Sequence, residues 1–292
     1  GALVRAGLGE KLLILLTAKL VNFVPDGGIW MNTQRPEWND ANNALVGRGL
    51  SVVTVAYLHR YVELVQELLR GQSVEMSVPL ARAVEAITAI LDGPGVAAQS
   101  RDAALPLDSG GRRELLDALG EVGGSYRDAV RSQPTERVQL DGAALAAHLE
   151  VVARWLARTV RRNRRPDGLY HAYNLLTLET GMASIEHLDE MLEGQVAVLS
   201  SGVLEPAEVD ALLAALPGSA LYRPDVRSYQ LYPEPSIPTF LERNRVPTAR
   251  WQANALLVAL IEQGDRRLVV RDIDGGVPVS YTHLRAHETV LD

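Results

Sequence analysis

Cysteine is absent from the 292 residues, so no disulfide framework, thiolate metal site or cysteine nucleophile is available. Positive charge is not in excess: the formal net charge of -7 argues against a nucleic-acid-binding surface spread over the whole fold. No apolar run is long enough to span a bilayer. The richest, residues 12–24, carries Lys19 in its middle and falls short of the roughly 20 residues a spanning helix needs, so it reads as a buried helix and no membrane partner is expected. Aromatic residues are scarce, at 5%. What is present, 47% apolar and 22% charged residues, is enough to bury a real core, which excludes disorder of the whole chain.

The two ends need separate treatment. The chain opens Gly1-Ala-Leu-Val-Arg5, without an initiator Met or a secretory pattern, which predicts a truncated start and a cytoplasmic protein. Residues 279–292, Val279-Ser-Tyr-Thr-His-Leu-Arg-Ala-His-Glu-Thr-Val-Leu-Asp292, resemble the peptide translated from sequencing-adaptor DNA in assembled metagenomic data. They are expected to be a non-native tail, with residues 1–278 as the genuine part of a longer enzyme. On that reading His283, His287 and Glu288, whose spacing suits a shared helix face and a metal, carry no site. No metal is expected elsewhere.

Apolar spacing predicts helices over residues 10–24, 51–70, 79–91, 112–130, 140–162, 185–199, 206–216 and 248–263. A strand is expected only at 268–272. Pro25-Asp-Gly-Gly28 and Asp92-Gly-Pro-Gly95 read as helix stops. The expected fold class is therefore mainly α, built as antiparallel helical hairpins with long connections.

Those connections, 25–49, 164–181 and 220–247, hold Trp30, Trp38, Tyr170, Tyr173, Tyr222, Tyr229 and Tyr232. Long ordered loops between packed helices are often functional. Aromatic faces stack on the C–H faces of sugar rings while amides, Arg and acids take the hydroxyls, so a carbohydrate cleft is expected; the plain alternative is rings that staple loops onto helix ends.

The segment Asn32-Thr-Gln-Arg-Pro-Glu-Trp-Asn-Asp-Ala-Asn-Asn43 concentrates this chemistry. Glu37 and Asp40 flank Trp38, with Arg35 before them and Asn39, Asn42 and Asn43 around and after. Glycosidic cleavage needs a carboxylic acid that holds a proton near neutrality, and a carboxyl beside a Trp above an apolar core is a candidate. Asn39 or Asp40 acting only as a helix N-cap is the structural alternative.

The order acid-Trp-Asn-Asp at residues 37–40, followed by Asn, resembles the catalytic loop of the cellobiose phosphorylase type of glycoside phosphorylase. Gly168-Leu-Tyr-His-Ala-Tyr-Asn-Leu-Leu176 and Leu221-Tyr-Arg-Pro-Asp-Val-Arg-Ser-Tyr-Gln-Leu-Tyr-Pro233 resemble segments of large bacterial proteins described as similar to those enzymes. The resemblance implies the six-hairpin, (α/α)6-toroid glycosidase superfamily, here an incomplete toroid because too few helices are read to close one. It implies Asp40 as general acid, with Glu37 in a supporting catalytic or sugar-binding role. Arg35, Trp38, Asn39, Asn42, Asn43, Tyr170, His171, Tyr173, Asn174 and Tyr232 are the expected substrate-binding residues. The partner is an oligosaccharide or glycoside. No cofactor is expected, and inorganic phosphate is a co-substrate if the enzyme is a phosphorylase.

The family's Gly-Gly phosphate loop with Thr and His has no counterpart in the sequence, which leaves an inverting hydrolase open. Such an enzyme needs a base roughly 6.5–9.5 Å from the acid, for which Asp167, Asp225 and Glu234 lie in suitable loops. His171 is open to a phosphate contact or a structural role. The run Arg158, Arg161, Arg162, Arg164 and Arg165 reads as a solvated helix end complementing the helix dipole. The competing expectation is a non-catalytic sugar-binding or scaffold module. The catalytic reading expects the three loops on one face, with Asp40 at the floor of a shared cleft.

Overall fold

The structure is a computed structural model describing residues 6–32, 45–94, 96–105, 107–132, 136–233, 245–265 and 277–278. The chain divides into two compact units, Gly1–Pro233 and Glu234–Asp292.

In the first unit the long helices are α1 (Leu8–Leu20), α2 (Val52–Leu68), α3 (Val78–Leu91), α5 (Ser109–Arg131) and α6 (Gly142–Arg162). Shorter helices are α4 (Ala97–Arg101), α7 (Leu192–Leu199) and α8 (Pro206–Ala215). Their starts follow local chemistry. Ser51 Oγ accepts from Thr54 N at 3.0 Å, Asp108 from Gly111 N at 2.7 Å and Asp141 from Ala143 N at 2.9 Å, each satisfying an amide that the helix itself leaves free. Pro79 and Pro206 sit in first turns, where a missing N–H costs nothing.

Leu13, Leu16 and Leu20 of α1, Val55, Val62 and Val65 of α2, Leu80, Ile87 and Leu91 of α3, and Leu149, Val152, Trp155 and Leu156 of α6 close one buried core. Each such side chain contributes about 1.5–3 kcal/mol on burial, so this helical core holds the unit together. Trp155 Nε1 donates to Leu91 O at 2.8 Å, so the largest core ring brings its polar edge in satisfied.

Against this core lies a five-stranded antiparallel sheet in the order β1 (Phe23–Val24), β2 (Gly28–Trp30), β3 (Gly49–Ser51), β6 (Tyr173–Glu179), β7 (Met182–His187). Two further hairpins pair β4 (Val74–Ser77) with β5 (Arg137–Leu140), and β8 (Tyr222–Arg223) with β9 (Ser228–Tyr229). The fold is therefore mixed α and β, and the expected mainly α, incomplete (α/α)6 toroid of hairpins is incorrect. Two of the three connections read as loops supply β2, β6 and the start of β3, while β1 takes the last two residues expected in the first helix. Pro25-Asp-Gly-Gly28 is the turn of the β1–β2 hairpin rather than a plain helix stop. Asp26 takes φ 64°, and Gly28, at φ 138°, lies so close to Ser51 that a Cβ would stand 2.9 Å from its backbone carbon. Residues 185–187, expected in a helix, instead end β7, and the helix starts at Leu192.

In the second unit α9 (Thr248–Gln252) and α10 (Ala255–Glu262) replace the single helix expected over 248–263. Asn254 Oδ1 accepts from Leu256 N and Leu257 N and so starts a new helix. Trp251 and Val277 centre a small core joined by Val246, Leu257, Val258 and Ile261, and β10 (Arg245–Val246) pairs with β11 (Val277–Pro278). The expected strand at 268–272 and the cluster His283, His287, Glu288 lie outside the described residues. No helix among the described residues is long and apolar enough to cross a membrane.

Candidate functional site

The β1–β2 turn aims Asp26 at the C-terminal part of α6. Arg158 grips its carboxylate with two hydrogen bonds, Nε to Oδ1 at 2.8 Å and Nη2 to Oδ2 at 2.9 Å; the side chains are 1% and 6% exposed. Arg158 also donates to Gln99 O, Asp102 O and Leu105 O, so its five N–H donors are all engaged. It is a buried strut. The expectation of a solvated basic helix end fails at Arg158; Arg161 and Arg165 are partly buried and paired, with Glu208 and with Asp167 and Glu190, while Arg162 and Arg164 are exposed. Spacing explains the burial: Trp155 and Arg158 are three residues apart and share the inward face of α6.

Around Asp26 opens a niche of about 160 Å³, lined by Asp26, Arg112, Arg162, Ile185 and His187. Arg112 is fixed by donating to Pro25 O, Ala183 O and Leu107 O. Burial pulls its pKa down while Asp26 and Asp108 push it back up. Arg162 is different. Its ionic contact among the described residues is Asp26 Oδ2 at 3.9 Å, beyond hydrogen-bond length. Three guanidinium groups thus surround one carboxylate that Arg158 already holds, with Asp108 acting on Arg112 from further off.

His187 completes the rim. Asn174, fully buried, donates to Gly27 O at 2.7 Å and to Asn163 Oδ1 at 2.8 Å, and its own Oδ1 meets His187 Nδ1 at 2.7 Å. The amide oxygen can only accept, so His187 carries its proton on Nδ1, and Nε2 is the ring's acceptor, with no hydrogen bond among the described residues. Asn163 donates to Asp26 O and Thr159 O, tying the same network to α6. His171 stacks on His187 with ring centroids 4.2 Å apart and planes 8° from parallel, and its Nδ1 lies 3.0 Å from Leu188 O. Burial first, then the positive charge of Arg162, Arg112 and Arg165, lowers the His187 pKa; burial and His187 bring His171 to about 4. Both rings are therefore neutral at pH 7. The niche can take a small oxyanion, with guanidinium groups as donors and Nε2 able to share or accept a proton.

The other expected residues fall as follows. Arg35, Glu37, Trp38, Asn39, Asp40, Asn42 and Asn43 lie outside the described residues, as does Glu234. Tyr170 is 1% exposed and belongs to the main core, its backbone clamped by Gln195, which accepts from Tyr170 N and donates to Tyr170 O. Tyr173 is buried in β6, and burial together with Glu193 raises its pKa. Tyr232 is exposed. Asp167 is held by Arg165 and Asp225 by Arg223. Pairing of β3 with β6 joins the ends of the first two long connections, Leu50 opposite Asn174. The third touches the same region where Leu192 N donates to Leu231 O at 2.8 Å.

Asp26, Arg112, Arg162, Asn163 and His187 were not among the residues the sequence singles out for a site. The inward placement of Arg158 on an amphipathic helix was the one local sign. Asp26 and Arg158 stand 132 positions apart, so their meeting has no local signature.

Residues 237–282 match the family described as GH149 phosphorylase insertion domain 2. A comparison with curated proteins finds no match. The matched stretch lies in the second unit and covers a minor part of the chain; it ties the chain to glycoside phosphorylases in general, and not to cellobiose phosphorylases in particular or to a toroid.

Proposed function

We propose that this chain is part of a glycoside phosphorylase in which Asp40 is the general acid and inorganic phosphate binds the niche of Arg112, Arg162 and His187. In the step, a phosphate oxygen attacks the anomeric carbon as the glycosidic C–O bond breaks. The leaving oxygen takes the proton of the Asp40 carboxyl, giving a sugar phosphate and a shortened glycan; the proton carried by the attacking phosphate returns to Asp40. The observation that carries phosphorolysis over hydrolysis is the surplus of guanidinium charge in a niche of anion size, in a chain whose second unit matches a phosphorylase insertion domain. The niche opens at the turn entering β2, and the segment bearing Asp40 leaves β2 for β3, so both belong to one short stretch of chain.

Steady-state assays of the full-length protein on a glycoside panel, with and without phosphate, test this reading. Asp40→Asn is expected to lower turnover by roughly 10²–10⁴-fold while glycan binding persists. Wild-type rates in that variant would remove Asp40 from the role. Equal rates with and without phosphate would indicate a hydrolase. Glycan binding with no turnover in either condition would indicate the non-catalytic module.

A further inference from the structure

Charge alone does not tell one tetrahedral oxyanion from another. The guanidinium groups of Arg112 and Arg162 can only donate, and they attract sulfate as readily as phosphate. His187, the remaining nitrogen-bearing side chain of the lining, can do something different. We propose, on the phosphate reading above, that His187 is a specificity residue whose Nε2 accepts the P–OH hydrogen of hydrogen phosphate. Asn174 is the positioning residue that makes Nε2 an acceptor, and the niche therefore admits phosphate and disfavours sulfate.

A chain of amides fixes the direction of every bond behind the ring. Asn163 Nδ2 donates to two backbone carbonyls, Asp26 O at 2.9 Å and Thr159 O at 2.8 Å, so its Oδ1 must face Asn174. Asn174 Nδ2 donates to that Oδ1 at 2.8 Å and to Gly27 O at 2.7 Å. Turning the Asn174 amide over would set its oxygen against two acceptors in a fully buried place, which forbids the flip. Its Oδ1 therefore faces His187 Nδ1, 2.7 Å away, and can only accept. The proton sits on Nδ1, and the lone pair of Nε2 is what His187 has left to offer a ligand.

A doubly protonated ring would donate from Nε2 instead, and the surroundings oppose that state. His171 lies against the ring at 4.2 Å, and Arg112, Arg162 and Arg165 act on it with positive charge. The opposing carboxylate in the lining, Asp26, is already gripped by Arg158 through both oxygens. Near neutrality inorganic phosphate keeps at least one proton, whereas sulfate of similar size and charge has none. Hydrogen phosphate gives Nε2 a donor; sulfate gives it a second lone pair. His187 ends β7 at an exposed position, so water softens the discrimination to roughly tenfold rather than the larger factors of enclosed sites. The proposed step also calls for a phosphate that arrives protonated, and that is the species this acceptor selects.

Titration calorimetry of the full-length protein with inorganic phosphate, arsenate and sulfate, each as the sodium salt at constant ionic strength, tests the inference. Wild type is expected to bind arsenate, which also carries an O–H, within about threefold of phosphate, and sulfate roughly tenfold or more weaker. His187→Lys puts a donor where the acceptor was and should bring sulfate within about threefold of phosphate. Asn174→Asp keeps an oxygen towards Nδ1 but favours the charged ring, so it should narrow the same ratio. A purely structural role for either side chain would weaken both anions together and leave the ratio unchanged. The inference is overturned if wild type binds sulfate within about threefold of phosphate, if it binds neither anion, or if neither variant narrows the ratio. Phosphorolysis that sulfate inhibits as strongly as phosphate binds would remove the role of His187 and keep the phosphorylase. Selective, His187-dependent phosphate binding without phosphorolysis of any glycan would keep the role and remove the phosphorylase.

Discussion

The Asp26 niche and a cleft of about 670 Å³ lined by Trp30, Arg113, Asp117, Glu121 and Arg127 lie towards opposite ends of strand β2, and they are built on opposite electrostatic plans. In the niche, guanidinium groups outnumber the carboxylate they surround, and the arginine with the weakest attachment, Arg162, faces the opening. In the cleft, acids match bases and an indole supplies the surface. The difference teaches what each hollow selects. Unbalanced fixed charge next to a buried carboxylate is stabilised by an incoming anion, whereas balanced charge draws no ion of either sign.

Removing the strut under the niche has the largest expected effect. Asp26→Ala leaves Arg158 buried without its counter-charge and should destabilise the first unit by about 3–5 kcal/mol in urea unfolding. A loss below about 1 kcal/mol would show that Arg158 is not held as described.

Acid should act on the scaffold beneath both sites. His148 is buried on α6, its Nδ1 lies 2.7 Å from Thr88 Oγ1, and burial brings its pKa to about 4. The folded state therefore favours the neutral ring. Stability is full above the unfolded histidine pKa and falls as pH drops from 6.5 towards 4, by roughly 3 kcal/mol for this group. His148→Leu should flatten that part of the stability–pH curve; an unchanged slope would place the acid sensitivity elsewhere.

Arg162→Ala separates the two hollows more finely. It should raise the KM for phosphate roughly tenfold, about 1.4 kcal/mol, with the KM for the glycan unchanged and stability within about 0.5 kcal/mol of wild type. An unchanged KM for phosphate would remove Arg162 from the phosphate site.

The smallest effect is that of salt. Raising ionic strength should weaken phosphate binding at the open niche and leave the KM for an uncharged glycan nearly constant. A parallel decline in both would contradict the electrostatic distinction.

Much of the helical scaffold was legible in the sequence, because α1, α2, α3, α5 and α6 each carry an apolar stripe over several turns with an identifiable start or stop. The sheet was not. Phe23–Val24, Gly28–Trp30 and Gly49–Ser51 are two or three residues long, too short for alternation to register. They become strands only because β6, far along the chain and itself paired with β7, pairs onto β3. The apolar spacing from Ile185 onward looked helical because the end of β7 runs almost directly into α7. Of the site, the sequence displayed residues 32–43 and the aromatic connections. It could not display the niche, whose parts come from the β1–β2 turn, α5, α6 and β7. Tyr170 illustrates the limit of counting aromatics by segment, since it lies off the long helices and is still core.

Product identity tests the proposed phosphorolysis most directly. Phosphorus NMR of the full-length protein incubated with its best glycan and inorganic phosphate should show a sugar phosphate resonance growing as free phosphate declines, and no such growth with Asp40→Asn. Release of free reducing sugar at the same rate with or without phosphate, and no new phosphorus resonance, would contradict the account.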